Sequence, residues 1–557
     1  MMRCSLALMA LAAATACATP DTTDTPDRIF IGGRIWTGDS AQPEATALAI
    51  RGDRLIAVGS DSAIRALAGK RTTIESLEGR RVVPGLHDAH WHLPTRRYAD
   101  LVGARDTAEI VRRLQAFAQT LPADAWVTGR GWAPDMFPEN RAHRRYLDGA
   151  FPDRPVLLTD RDGHQRLANS RAMALAGITA TTKAPAGGAI ERDPRGDPTG
   201  VFKETANALI SRLIPDPTAD EVYLALREQL HAAAALGLTS VQIANGLSDA
   251  EQAAFARALR EDSLILRVRA AVPFSATATD SALRSYVALR DTHTGPLFRF
   301  GIAKGMLDGT VDATSAWMLA PYAKVGGTGL PRFTLAELTR TVARYDSAGI
   351  QVELHAIGDG AIRTALDAYE AVNKATGRTD HRFRVEHLEV PDPADIPRFA
   401  RLGVIASTQA IFAIPDATAL NNYAPLLGPV RAARAMPFKS LDNAGAIQAF
   451  GSDYPVFPMD PLLGIYVAVT RMTETGTPTG GTQPTERISV AQALRHYTWG
   501  SAYSAFREHE LGTLAPGMLA DFVVLSSDIF DVTPPEMLKA KPVLTVMGGR
   551  DRYRRAP

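Results

Sequence analysis

The sequence predicts an α/β protein: a (β/α)8 TIM-type barrel, a small β-sandwich domain composed from both chain ends, and a capping insertion. Three observations predict it. Between residues 83 and 504, short apolar runs ending in polar residues alternate with helical patterns. About eight such units argue for a closed parallel barrel. Both chain ends instead show short alternating strands broken by tight turns. One block, at about 121–218, is rich in Pro, Arg and Asp and interrupts the barrel rhythm. The 557 residues have room for such a barrel and its attachments, and 46% hydrophobic with 22% charged residues supply a globular core. Sixty-one Lys and Arg against 60 Asp and Glu leave a net charge of +1. A polyanion binder carries a basic excess, so no nucleic-acid partner is expected.

The first element in order is a leader and tether, residues 1–27. Arg3 precedes an apolar run that ends in small residues, the pattern of an export signal. The run is shorter than the ~20 residues a spanning helix needs. Cys17 follows Ala14-Thr15-Ala16, as in a bacterial lipoprotein cleavage box, although the usual Leu three residues earlier is missing. Ala16-Cys17-Ala18 also fits an ordinary small-x-small cleavage site. The expectation is export, to the periplasm or to the outer membrane through a lipidated Cys17. Cys4 and Cys17 are the chain's two cysteines. The folded body therefore has no disulfide and no thiolate metal site, and any metal must use His, Asp, Glu or Lys.

The composite β-domain is read from 28–82 and 505–557. RIFIGGRIWTGD and ATALAIRGDRLIAVGS near the start match LAPGMLADFVVLSS and PVLTVMGGRDRY near the end in texture. The barrel, 83–504, follows. Its first strand ends in His90-Trp91-His92. Residues two apart diverge by about 200° on a helix but share a face of a strand, where both imidazoles can meet one metal. His355 in VELHAIGDG and His387 in FRVEHLE end further strand-like runs one strand–helix unit apart. Asp453 in AFGSDYP lies two units beyond, with GVIASTQ supplying the strand between. Lys304 in GIAKGMLDG stands one unit before His355. Counting back from Asp453 on the eighth strand places His387 on the sixth, His355 on the fifth, Lys304 on the fourth and His90 and His92 on the first. All six then face the carboxyl end of the barrel, where such folds build their sites.

These residues carry a resemblance. PGLHDAHWH (84–92), DGHQRLANS (162–170), KGMLDG (304–309), HAIGDGAI (355–362), VEHLE (385–389) and GSDYPV (451–456) resemble the amidohydrolase superfamily. The likeness is to its YtcJ-like branch (amidohydrolase family 3), which includes N-substituted formamide deformylases. The resemblance implies that His90, His92 and Asp453 bind one metal and that His355 and His387 bind a second. It implies that Lys304, carboxylated by CO2, bridges them, and that Asp453 also takes a proton from the attacking water. A free ammonium beside two dications would be repelled, whereas its carbamate is a bidentate anion. Imidazole and carboxylate ligands suit Zn²⁺, with Mn²⁺ or Fe²⁺ also admitted.

Blander readings stand beside these. Lys304 could be a surface lysine paired with Asp308, leaving one metal. His87 faces the other way from His90 in a strand and reads as structural. Asp162 and His164 could touch substrate from the inserted block or form a surface turn. Trp132, in a Gly-Trp element whose usual acidic successor is Ala133, could touch substrate or pack. Gln409 ends the seventh strand and could face the substrate. Glu204 could face the site or start a solvated helix. Glu386 and Asp359 read as orienting or capping groups. The apolar loop AIFAIPDATALNNYAP suggests a hydrophobic pocket wall. The expected function is metal-dependent hydrolysis of a C–N bond in an amide, N-formyl or N-acyl amine, or cyclic amide. The alternatives are a deaminase or ester hydrolase on the same site, or a catalytically silent lipoprotein binding metal or small molecules. The expected partner is a small-molecule substrate, and a homodimer is a family-level expectation.

Overall fold

The computed structural model describes residues 25–556, so the leader reading, with Cys4 and Cys17, lies outside the described residues. Eight parallel strands form the central sheet: β1 (Leu86–Trp91), β2 (Leu238–Gly246), β3 (Arg267–Pro273), β4 (Phe298–Met306), β5 (Gln351–Ala356), β6 (Arg384–His387), β7 (Ile405–Gln409) and β8 (Gln448–Gly451). Each pairs with its neighbour in sequence. The ring closes just past β8, where Asp453 N–H donates to the His90 carbonyl at 2.7 Å and His92 N–H donates to the Tyr454 carbonyl at 2.9 Å. Gly451 permits this approach, because a Cβ there would lie 2.5 Å from the His90 nitrogen. Asp88 clasps the same seam: its carboxylate accepts from the backbone N–H groups of His90 and Ser452 and from the Ser452 hydroxyl.

Local sequence starts the outer helices. Thr218 with Glu221, Ser248 with Glu251 and Thr334 with Glu337 form capping boxes at helices α1 (Ala219–Ala235), α2 (Asp249–Arg260) and α3 (Leu335–Ser347). In α1, Val222, Leu226, Leu230 and Ala234 recur every four residues and are buried against the barrel. β5 is buried along its whole length, as expected for a parallel strand covered on both faces.

Both chain ends build one β-domain of two sheets. In the larger sheet, Arg81–Pro84 pairs in parallel with Arg34–Trp36 on one side and antiparallel with Phe522–Leu525 on the other. Phe30, Ile35, Leu48, Phe522 and Val546 fill its core. A buried ion pair, Arg267 to Asp521 at 2.7 Å, ties it to β3.

The inserted block has a six-stranded sheet of its own. Its first strand is Ala99–Asp100, so the insertion begins well before the expected residue 121. The helix Thr107–Ala118 packs Ile110 and Leu114 into the core of that sheet. This early part is amphipathic and lacks the Pro-rich texture that marked the rest. Among the described residues, no helix is long and apolar enough to cross a membrane.

Candidate metal centre

Strand ends bring His90, His92, Lys304, His355, His387 and Asp453 to one mouth of the barrel. The rings of His90 and His92 lie 5.3 Å apart, His90 and His387 4.7 Å, and His355 and His387 4.4 Å. His387 and Asp453 adopt φ of +71° and +57°. Such left-handed backbone costs a non-glycine residue about 1–3 kcal/mol and clusters at functional sites. Here it turns both side chains into the mouth as the chain leaves β6 and β8.

Each histidine gives one ring nitrogen to an oxygen behind it. His90 Nδ1–H donates to Glu386 Oε2 at 2.6 Å, His92 Nδ1–H to Asn245 Oδ1 at 2.7 Å, and His387 Nδ1–H to Gln409 Oε1 at 2.9 Å. His355 Nε2–H donates to the Gly309 carbonyl at 3.1 Å. These oxygens can only accept, so they fix the tautomers. The lone pairs left over are Nε2 of His90, His92 and His387, and Nδ1 of His355. That is the second-sphere arrangement of metal-binding imidazoles.

The distances fit a shared ion. Asp453 Oδ1 lies 2.9 Å from His92 Nε2 and 3.5 Å from His90 Nε2. Two ligand atoms about 2.1 Å from one metal stand roughly 3–3.5 Å apart. In the His92–Asp453 contact a lone pair faces a carboxylate, an arrangement that a cation between them satisfies. His90, His387 and Asp453 also offer ligand atoms all within 4.8 Å of one another. The donor set of imidazole nitrogens and a carboxylate fits Zn²⁺ and similar divalent ions.

Electrostatics agree. Burial, with Lys304 nearby, pushes His90 well below its ordinary pKa. Burial, with His387 beside it, does the same to His355. Burial lowers His387 to about 4. All three are held neutral, as ligands must be. For Asp453, burial opposes charge, but His90, His92 and His387 outweigh it and hold the carboxyl below its usual range.

Lys304 is half-buried on β4, with Nζ 3.2 Å from His90 Nε2. It does not pair with Asp308. Asp308 instead accepts from the backbone N–H groups of Trp317, Ile357 and Gly358 and lies 3.5 Å from His355. His87 is buried away from the cluster, its pKa lowered to about 4 by burial.

An open pocket of about 920 Å³, mouth included, leads down to His355, His387 and Asp453. Asp162 and His164 line it. The loop after β7 supplies an apolar wall of Phe412, Ile414, Pro415 and Leu420. His164 is held by Glu204 at 3.0 Å, and its ring lies 5.0 Å from that of His355. Glu204 is buried, not solvated, and is also held by the Ser315 hydroxyl and Arg332.

Two expected substrate contacts are placed elsewhere. Trp132 is 1% exposed in the core of the inserted sheet, 5.5 Å from the ring of Phe137. The strand's register shifts between Arg130 and Trp132, where Gly131 adopts φ of +101°, and this bulge turns Trp132 off the face of Thr128 and Arg130 into that core. Gln409 is 1% exposed and sits behind His387 as its acceptor, away from the pocket lining. Sequence reasoning missed Asn245 behind His92, and Arg384, which is fully buried inside the barrel. Arg384 reaches Glu386, Gln242, Ser407 and the Ala89 carbonyl. The alternation in Arg384-Val385-Glu386-His387 was a usable signal, since it sets Arg384 and Glu386 on one face.

Comparison with known proteins places this geometry in a family. The amidohydrolase family model matches residues 73–553, so the chain belongs to that family. Over 548 residues it is 33% identical to protein LONG AFTER FAR-RED 3 of Arabidopsis thaliana, covering 96% of this chain and 93% of the other. It is 30% identical to the putative amidohydrolase YtcJ of Bacillus subtilis (95% and 99% covered). It is 28% identical to the N-substituted formamide deformylase of Arthrobacter pascens (95% and 98% covered). An uncharacterized metal-dependent hydrolase from Pyrococcus furiosus shares the fold, with a TM-score of 0.67 and 25% identity over 91% of this chain and 99% of that one. The protein is accordingly a hydrolase of the metal-dependent amidohydrolase type.

Proposed function

We propose that the protein hydrolyses a C–N bond of an amide, N-formyl or N-acyl amine, or cyclic amide through a metal-activated water. The observation that carries this is a set of four histidines, each with one nitrogen fixed by an oxygen and the other left free, gathered at one barrel mouth where Asp453 faces the free nitrogens of His90 and His92. The kinship with a formamide deformylase supports the choice of bond.

When bound, divalent metal supplies a Lewis acid that polarises a carbonyl and acidifies water. The chain's own residues do the rest. His90, His92 and Asp453 would hold one ion, and His355 and His387 a second. Lys304 stands beside His90, placed to join the ligand set as a carbamate. Asp453, ionised and acceptor-only, takes the proton of the attacking water at a carboxylate oxygen and delivers it to the leaving nitrogen. His164, steadied by Glu204, borders the reacting carbonyl's space. The apolar wall around Phe412 takes the substrate's hydrocarbon part and keeps bulk water out.

The test is a panel of N-formyl amines, N-acyl amines and cyclic amides, with esters and amino-heterocycles as the rival classes, assayed with and without chelator. Chelator-sensitive amine release supports the reading. Turnover confined to esters or amino-heterocycles, or none on any class, overturns it. Asp453→Asn is expected to cut turnover by about 10²–10⁴-fold.

A further inference from the structure

A second cavity adjoins the metal centre and has a different chemistry. It measures about 1070 Å³ with its open mouth, and its lining includes His92, Tyr98, Thr128, Arg130, Thr159 and Arg166. Asp453 lines the first pocket and contacts His92 at 2.9 Å, so the His92–Asp453 pair stands between the two spaces.

The register of the inserted sheet builds the polar wall. Arg130 opposes Thr159, and Thr159 opposes Arg166, so the three form one row across adjacent strands. Thr128 and Leu157 form the row beside it on the same face. The opposite face, with Val127, Leu158 and Leu167, is sealed in a hydrophobic core. Strands about 4.8 Å apart set the two arginine backbones roughly 10 Å apart, with the Thr159 hydroxyl between them.

Among the described residues these two guanidiniums have no carboxylate within ion-pair distance. Among the described residues, Arg130 donates only to the Arg161 carbonyl, at 3.3 Å, and its Nε–H has no acceptor. Arg166 donates only to the Gly163 and Gln165 carbonyls. Burial lowers Arg166 to about 10, with Arg130 adding like charge and Asp160 opposing. Asp160 is already engaged by the Gln165 backbone and side chain. Asp100, level with Arg130 on the next strand, accepts from Val102 N–H. Arg96 at the rim is neutralised by Asp216 at 2.7 Å. Two like charges held half-buried without a counter-ion are unfavourable, and an anion between them removes that cost.

We infer that this cavity is an anion site beside the metal centre, which takes the carboxylate or phosphate group of a small molecule between Arg130 and Arg166. The Thr159 hydroxyl donates to the same group, and Leu157 and Pro455 meet the attached hydrocarbon. Arg guanidiniums suit this role because their forked donors match planar or tetrahedral oxyanions.

The test is calorimetric titration of the purified holoprotein with inorganic phosphate and, separately, benzoate. No turnover is measured, so the result is independent of the hydrolytic reading. Saturable binding of either anion, surviving metal removal, is expected, and the tighter one identifies the group. Arg130→Gln with Arg166→Gln is expected to weaken it at least about tenfold, as loss of charge-assisted hydrogen bonds does. Thr159→Val keeps both charges and the strand, and is expected to weaken it severalfold if the double variant does not fold. No saturable binding, binding lost with the metal, or variants that bind like the parent would overturn the inference.

Discussion

One nitrogen of each site imidazole is spent on an oxygen behind it, and that oxygen decides what the other nitrogen can do. Asn245 does this for His92, from the end of β2. Asn245→Leu leaves the His92 ring free to turn and removes its tautomer constraint. Zn²⁺ affinity, measured by competition with a chelator, is expected to fall about tenfold or more. Lys304 touches His90 and forms no ion pair among the described residues. Lys304→Ala is expected to lower the metal bound per chain, read by elemental analysis. Unchanged stoichiometry and turnover would remove the bridging lysine from the account. Much at this scale was legible in the sequence, because His-x-His has one sensible geometry in a strand. Gln409 and Trp132 were not. Gln409 ends its strand and packs behind His387, and a bulge at Gly131, which no local pattern announces, moves Trp132 off the face of Arg130 into the inserted core.

The barrel's elements bring these residues together only if the ring closes. β8 meets β1 through Gly451, where a side chain would collide with the His90 backbone. Gly451→Ala is expected to destabilise the fold by roughly 1–3 kcal/mol, as overpacking does. It should also weaken metal binding, since it displaces a ligand's backbone. Thermal melting and metal titration of the same variant check both effects. The strand–helix alternation and the capping boxes were readable, since both are local patterns. The start of the insertion was not. Ala99–Asp100 and the helix Thr107–Ala118 look like ordinary barrel elements until they pair with a sheet that is not the barrel's.

The whole molecule is a barrel held between two attachments. The composite β-domain grips it through the buried Arg267–Asp521 pair, and the inserted sheet leans over its mouth. The sequence announced the composite domain because both ends share one strand texture. The meeting of an apolar pocket and an arginine-lined cavity at one metal centre depends on long-range packing, which no local pattern encodes. A candidate metal site drawn from β1, β6 and the loop after β8 would also couple metal to global stability. Metal at 100–1,000 times its Kd is expected to add about 2.7–4.1 kcal/mol.

The most direct test of the central claim follows from that coupling. Metal-free protein is titrated with Zn²⁺ while amine release from an N-formyl or N-acyl amine and the melting temperature are followed together. The account predicts that both rise with bound metal and level off at the same stoichiometry. Turnover that is indifferent to metal, or metal that binds and stabilises without any turnover, would contradict it.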